Sequence, residues 1–368
     1  MIGDAGPELP TPRRLGPITT ALTERDAIAF VHVGPRSEPG VRYCLGAQAP
    51  AGPETTGPYA VAITTDGRVV VEQRTEHPAE RLATRLRDQY GTGQVLTPAT
   101  IPHDAALYLE RAGFELASTD ALDTARSAKT ASERERIVEA QTAAGAGVRR
   151  AATMLSNATT GDDRLHWRGE TLTTERLRRA VDAAVVSAGA FPAGATSVET
   201  TETVAMGTDA SEQIPIRPGK PVVVDVGPQG QAGYRSRLVR TLVAESEGGW
   251  ERRAHVAVES ALRSAQVMLE ADEATVRDVE TELVAEVRSF GFDEAASASV
   301  VGVGLEPRER PLAAGHRIGS GAVVALQAAV EADDGRRIEL GDLLIRHEGA
   351  DWLGRLSRSL EPSDICSS

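Results

Sequence analysis

Apolar positions fall into two periods along the chain. Residues 27–33 (AIAFVHV), 59–64 (YAVAIT) and 68–72 (RVVVE) are short runs rich in β-branched residues and predict strands. The Asp66-Gly67 pair between the last two is a hairpin-turn signal. Residues 78–90 and 104–112 change to helical spacing, which makes a small α/β unit ending near residue 125. The Pro- and Gly-rich residues 1–20 predict a loose arm ahead of it.

A long helix is then expected over residues 129–155. Ser132 and Glu135 have capping-box spacing, and Ile137, Ala140, Ala144, Val148, Ala151 and Leu155 form one apolar stripe. A second helix is expected over 173–189. A buried strand follows at 221–226, then a Gly-rich turn and a partner strand at 238–246. Two amphipathic helices (250–270 and 275–290) and two strands (321–330 and 337–346) close the pattern. Helix, helix, strands, then again helix, helix, strands, hints at a doubled unit without a visible sequence repeat. The expected organisation is an arm at 1–20, an α/β domain at 21–125, a larger α/β domain at 126–360 and a tail at 361–368.

Composition narrows the function classes. The chain has 368 residues, 41% hydrophobic and 25% charged, enough for two domains with real cores. Acids number 53 against 40 bases, a net charge of -13, so nucleic acid is a poor default partner. No apolar run approaches the ~20 residues of a membrane span. The first residues lack an apolar signal core, so a cytoplasmic protein is expected. Cys44 and Cys366 are the only cysteines, too few for a disulfide framework or a Cys-rich metal site. Cys44, beside Tyr43, reads as a small buried residue in a turn. Only Lys129 and Lys220 are lysines among the basic residues. A salt-rich cytosol accounts for an acidic, lysine-poor surface, and so does a GC-rich genome that favours arginine codons.

Five fragments occur in a telling order. The first is Arg126-Ser-Ala-Lys129-Thr-Ala-Ser-Glu133. The second is Val222-Val-Val-Asp225-Val-Gly-Pro-Gln-Gly-Gln-Ala-Gly233-Tyr234-Arg-Ser236-Arg237-Leu-Val-Arg240-Thr241. Then come Gly302-Val-Gly304-Leu305-Glu306-Pro307-Arg308-Glu309, Gly321-Ala-Val-Val-Ala-Leu-Gln327 and Gly335-Arg336-Arg337-Ile338-Glu339. Together they resemble the creatinase/aminopeptidase (M24) family, in its Xaa-Pro peptidase and prolidase branch. Val41-Arg-Tyr43-Cys-Leu-Gly46 resembles an N-domain turn of the same branch. The resemblance implies a creatinase-like N-terminal α/β domain, a C-terminal pita-bread domain and a homodimer.

Active members of that family hold two divalent ions, such as Mn, Co or Zn, with two Asp, one His and two Glu. The ions hold a hydroxide that attacks the peptide carbonyl. Carried over one position at a time, the first Asp is Asp225 and the last Glu is Glu339. The second Asp position holds Arg237, the His position Val301 and the first Glu position Gln327. A His position that supports the family's metal ligands holds Arg308, and no His stands near Glu212, where another is expected. Arg240 and Arg337, which support the site in the family, remain.

Five such ligands carry about four negative charges, matching two divalent ions. Here Asp225 and Glu339 contribute -2 and Arg237 contributes +1, leaving -1. Arg does not deprotonate in proteins, so a fixed cation stands where a metal should. The expectation is that no metal cofactor binds and that the Arg237 guanidinium bridges Asp225 and Glu339.

Bland readings win elsewhere. Gly302-x-Gly304, with Pro307 where a third Gly would fall, is a tight turn rather than a phosphate loop. Ser236 lacks a nucleophile-elbow context. Three functions stay open. One is a non-catalytic peptidase homologue whose cleft binds a peptide or protein segment. Another is a metal-independent, creatinase-like hydrolase, for which Glu212 or Glu309 would have to replace the missing His. The last is an Xaa-Pro peptidase with an atypical metal site.

Overall fold

The computed structural model describes residues 12–46, 57–73, 77–206, 213–271, 274–293 and 295–367. The chain divides into two compact units, residues 1–130 and 131–368. Among the described residues no helix is long and apolar enough to cross a membrane.

The first unit contains α1 (Pro12–Glu24), β1 (Ala29–Pro35), α2 (Pro39–Leu45), β2 (Pro58–Thr64), β3 (Val69–Glu72), α3 (Pro78–Tyr90), β4 (Gln94–Thr97), α4 (His103–Arg111), β5 (Glu115–Ser118) and α5 (Ala121–Ser127). Its five strands run β3-β2-β1-β4-β5, with β1 antiparallel to β2 and parallel to β4. Ala29, Val31 and Val33 alternate into a core with Leu82 and Leu86 of α3 and Leu109 of α4.

The sequence misjudged two details here. The expected loose arm is helical from Pro12, because Leu15, Ile18 and Leu22 bury one stripe at spacings of three and four. Cys44 is buried as expected, but in α2 rather than a turn, and burial pushes its thiol up to about 12. Glu38 caps α2, accepting from the Gly40 and Val41 N–H groups.

The second unit contains α6 (Ala131–Ser156), β6 (Thr159–Gly161), β7 (Arg164–Trp167), β8 (Glu170–Thr171), α7 (Thr174–Ser187), β9 (Thr196–Thr200), α8 (Thr201–Met206), β10 (Val222–Val226) and β11 (Leu238–Leu242). It continues with α9 (Trp250–Ala271), α10 (Val276–Ser289), β12 (Ala296–Gly302), β13 (Val323–Glu331), β14 (Arg337–Arg346), β15 (Ala350–Trp352) and α11 (Pro362–Cys366). Because α6 starts at Ala131, Ser132 lies inside its first turn and does not cap it. Thr275 makes the capping box seen on α10.

The main sheet runs β12-β13-β14-β11-β10-β9, with β15 added on β14. It is two antiparallel meanders joined at β11 and β14, so the doubling hinted at by element order is present in the topology. Each meander is backed by a helix pair. Val222, Val224, Val226, Leu238 and Leu242 pack on α6 and α7. Val300, Leu326, Ala328, Ile338, Leu340 and Leu344 pack on α9 and α10. Strand alternation sends the intervening residues to the face turned away from the helices. That open face carries Asp225, Arg237, Gln327, Arg337 and Glu339. The tail also has structure: α11 buries Ile365 in the α6–α7 core.

Candidate functional site

The β10–β11 register sets the first half of the site. Asp225 stands opposite Val239, and the ladder continues in phase to Gln229 opposite Arg235. The turn between is closed by Gly230 N–H donating to Tyr234 O and Ser236 N–H donating to Pro228 O. Arg237 therefore lies on the same face as Asp225, opposite Gly227, and reaches its carboxylate diagonally. Its Nη2 donates to Asp225 Oδ2 at 2.6 Å, and its Nε lies 3.1 Å from Oδ2 and 3.3 Å from Oδ1. This is the charge-assisted fork geometry typical of Arg on a carboxylate. Burial opposes the Arg237 charge, but the hydrogen bonds and field of Asp225, with Glu339 and Glu199 beyond, hold its pKa above the ordinary value.

The second half lies on β13 and β14. Gln327 pairs with Gly341, and Glu339 with Ala329, so Gln327 and Glu339 are diagonal neighbours. Gln327 Nε2 donates to Glu339 Oε1 at 3.3 Å. Arg337 Nε donates to Glu339 Oε2 at 2.9 Å, and Arg337 Nη1 to Glu331 Oε2 at 3.1 Å. Burial raises the Glu339 pKa, Arg337 and Arg237 oppose that rise, and the Asp225 charge adds to it. Glu339 is thus held by Arg337 and Gln327. The expected Arg237 bridge forms to Asp225 only, and Glu339 is not its ion-pair partner.

Thr241 fixes Glu339 through the backbone. Strands β11 and β14 pair directly at Val239 and Gly341. One step along, the Thr241 hydroxyl donates to Glu339 O at 2.9 Å and accepts from Glu339 N–H at 2.8 Å. Gly341 permits the close approach, since a Cβ there would come within 2.9 Å of both Gln327 and Val239 side chains.

Other expected positions go elsewhere. Val301 is buried on β12 and offers no donor atom. Arg308 is exposed. Glu309 is buried on a segment that folds back on β12, with Glu309 N–H donating to Gly302 O at 2.9 Å and its carboxylate packed against Gly304. The two glycines thus serve a close backbone approach at a strand end, where a tight turn was expected. Glu212 lies outside the described residues.

Arg240 is not on the open face. It is fully buried among the helices' side of the sheet and donates to Asp342 Oδ1 at 2.9 Å and to the carbonyls of Ser357, Leu356, Gly341 and Val239. Arg358 Nε closes the cluster on Asp342 Oδ2 at 2.7 Å.

Two contacts escaped the sequence reading. One is Thr241, whose hydroxyl satisfies the backbone of a neighbouring strand, a role that no motif spacing announces. Tyr234 Oη donates to the buried Glu133 Oε1 at 2.8 Å across a long sequence separation that no spacing encodes. Among the described residues, no group of three or more His, Cys, Asp or Glu is placed to hold a metal ion. The face combines two guanidinium–carboxylate pairs, an amide and Glu199, so it can donate and accept hydrogen bonds to a polar ligand.

Residues 135–347 match metallopeptidase family M24, and the chain belongs to that family. The structure is similar to the prolidase from Pyrococcus horikoshii OT3, with a TM-score of 0.74, 18% identity and coverage of 94% of this chain and 99% of that one. It is similar to the Xaa-Pro dipeptidase from Bacillus anthracis at TM-score 0.74 and 15% identity, covering 94% of this chain and 98% of that one. It also resembles the N-terminal domain of FACT complex subunit SPT16 from Cicer arietinum, at TM-score 0.70 and 13% identity, covering 97% and 99%. Comparison with curated protein sequences gives no match. These likenesses establish the mixed α/β, pita-bread fold.

Proposed function

We propose that this chain is a non-catalytic member of family M24 that holds no divalent metal pair and binds a peptide or extended protein segment on the open face of its second unit. The observation that carries the reading is the Arg237 guanidinium seated on Asp225. Its N–H groups use the carboxylate lone pairs a metal would need, and its permanent charge repels a cation. Glu339 is likewise taken up by Arg337 and Gln327. Val301 supplies no donor, and the Gln327 amide supplies no charge. The residues present therefore do not fit a dinuclear centre, and no hydrolytic step is derived through one.

The fold and the polar, half-open face are retained, which supports binding without turnover. Val301 and Arg308 stand at the family's His positions, and Glu309 is buried against Gly304, which disfavours metal-independent hydrolysis.

The test is hydrolysis of Ala-Pro and Leu-Pro by the full chain, with added Mn or Co and separately with chelator. The expected result is no release of proline above a blank in either arm. Metal-dependent release would restore a working peptidase. Release that survives chelator would establish a metal-independent hydrolase.

A further inference from the structure

Arg235 is the exception among the cations of the open face. Arg237 and Arg337 are each matched by a carboxylate, whereas the Arg235 side chain has no hydrogen-bond or ion-pair partner among the described residues. Its Nε is shut off from solvent and unsatisfied, although the residue as a whole is half-buried. Burial lowers its pKa, a desolvation cost that no charge among the described residues offsets. In a chain of net charge -13 a partly desolvated, unmatched guanidinium stands out.

Its placement is fixed by the backbone. Arg235 continues the open-face row of Arg237 and Val239, and its N–H donates to Gly304 O at 2.7 Å. Opposite it is Gln229, and opposite Gln229 is Phe191, which exchanges both backbone hydrogen bonds with Gln229 at 2.8 Å. Residues directly opposite in antiparallel pairs share a face. Phe191, Gln229 and Arg235 therefore form one row across three chain segments. At this end of the row Phe191 is 57% exposed, so its ring is available for contact. The two pair spacings, roughly 4.5 and 5.5 Å, put the ends of the row about 10 Å apart. An extended peptide covers that distance in about three residues.

We propose that Phe191, Gln229 and Arg235 form a subsite for a peptide carboxylate, with Arg235 taking the anion and Phe191 an apolar side chain about three residues away. The proposal rests on the peptide-binding reading above and names the ligand chemistry. The carboxylate can be a free C-terminus or an acidic side chain. A charge-assisted contact from the Arg235 Nη groups, which lie beyond the sealed Nε on this half-buried residue, is the interaction that would offset the desolvated charge.

The probes are acetyl-Leu-Ala-Ala as the free acid, the same peptide as its C-terminal amide, and acetyl-Leu-Ala-Asp as its C-terminal amide. Each is titrated calorimetrically into the full chain and into its Arg235→Gln and Phe191→Ser variants, with thermal melts confirming that the variants fold. The free acid should bind saturably and about tenfold more tightly than its amide. Arg235→Gln should erase that acid–amide difference, while Phe191→Ser should weaken both peptides alike. If the Asp-containing amide matches the free acid, a side-chain carboxylate serves as the anion; if it matches the plain amide, the anion is the C-terminus. Equal affinity for acid and amide overturns the proposal. So does an acid–amide difference that persists in Arg235→Gln, or the absence of saturable binding by all three peptides. Hydrolysis of a probe would instead defeat the non-catalytic reading, and the Arg235 dependence would then be read in KM.

Discussion

Arg237 and Arg240 stand on the same stretch of chain and both pair with an aspartate, yet on opposite faces of one sheet. Arg240 and Asp342 are sealed on the helix side, their side chains 1% and 6% exposed. Arg237 and Asp225 sit on the open face at 33% and 21%. The buried pair is saturated by backbone carbonyls and by Arg358, and it ties β11 to the C-terminal segment. The open pair has few other partners, and what it changes is the chemistry available to a ligand. The same two residue types thus serve architecture on one face and decide function on the other.

Mutations should separate the two. Arg240→Met leaves Asp342 short of a partner in a dry environment and is expected to lower unfolding free energy by about 3–5 kcal/mol, measured by urea denaturation. Thr241→Val, at the seam between the meanders, strands the Glu339 backbone groups and should cost about 1–3 kcal/mol in the same assay. Arg237→Ala should cost only about 1 kcal/mol, because solvent screens the pair. A loss from Arg237→Ala as large as that from Arg240→Met would erase the distinction between the faces.

A smaller effect concerns two carboxylates with opposite pH signatures. Hydrogen bonds from Arg178, opposed by burial and helped by Arg179, hold Glu175 down to about 2. Its stabilisation is present above its unfolded value near 4.5 and is lost as pH falls toward 2. Glu339 is shifted upward by burial, so its contribution is greatest at low pH and declines as pH rises from its unfolded value through its folded one. The stability difference between wild type and Glu175→Gln should therefore shrink on acidification from pH 5 to 3. The difference between wild type and Glu339→Gln should shrink as pH rises from 4 to 7. Parallel slopes would contradict the two environments described.

Much of this was legible in the sequence. The strands bearing Asp225, Gln327 and Glu339 are valine- and leucine-rich runs, and their motifs kept the expected order. Strands β9 (TSVET) and β12 (ASASVVG) were not legible, because Ser, Ala and Thr give no apolar alternation; pairing with neighbours makes them strands. Helix α1 was hidden by Gly16 and Pro17, whose local preference is overridden by the buried stripe of Leu15, Ile18 and Leu22. The placement of Arg240 could have been read: it is three residues from Arg237 on one extended run, and an odd separation in a strand puts the two on opposite faces. That Arg237 would satisfy Asp225 alone could not be read, because the partner of Glu339 depends on the register between β13 and β14.

The most direct test of the central claim is the metal content of the purified chain after equilibration with Mn and removal of free ions, beside the combined Arg237→Asp, Val301→His, Gln327→Glu variant. The account predicts no stoichiometric metal in the wild type and a gain in the variant, where the displaced carboxylates and imidazole return. Two tightly held ions per wild-type chain would contradict it.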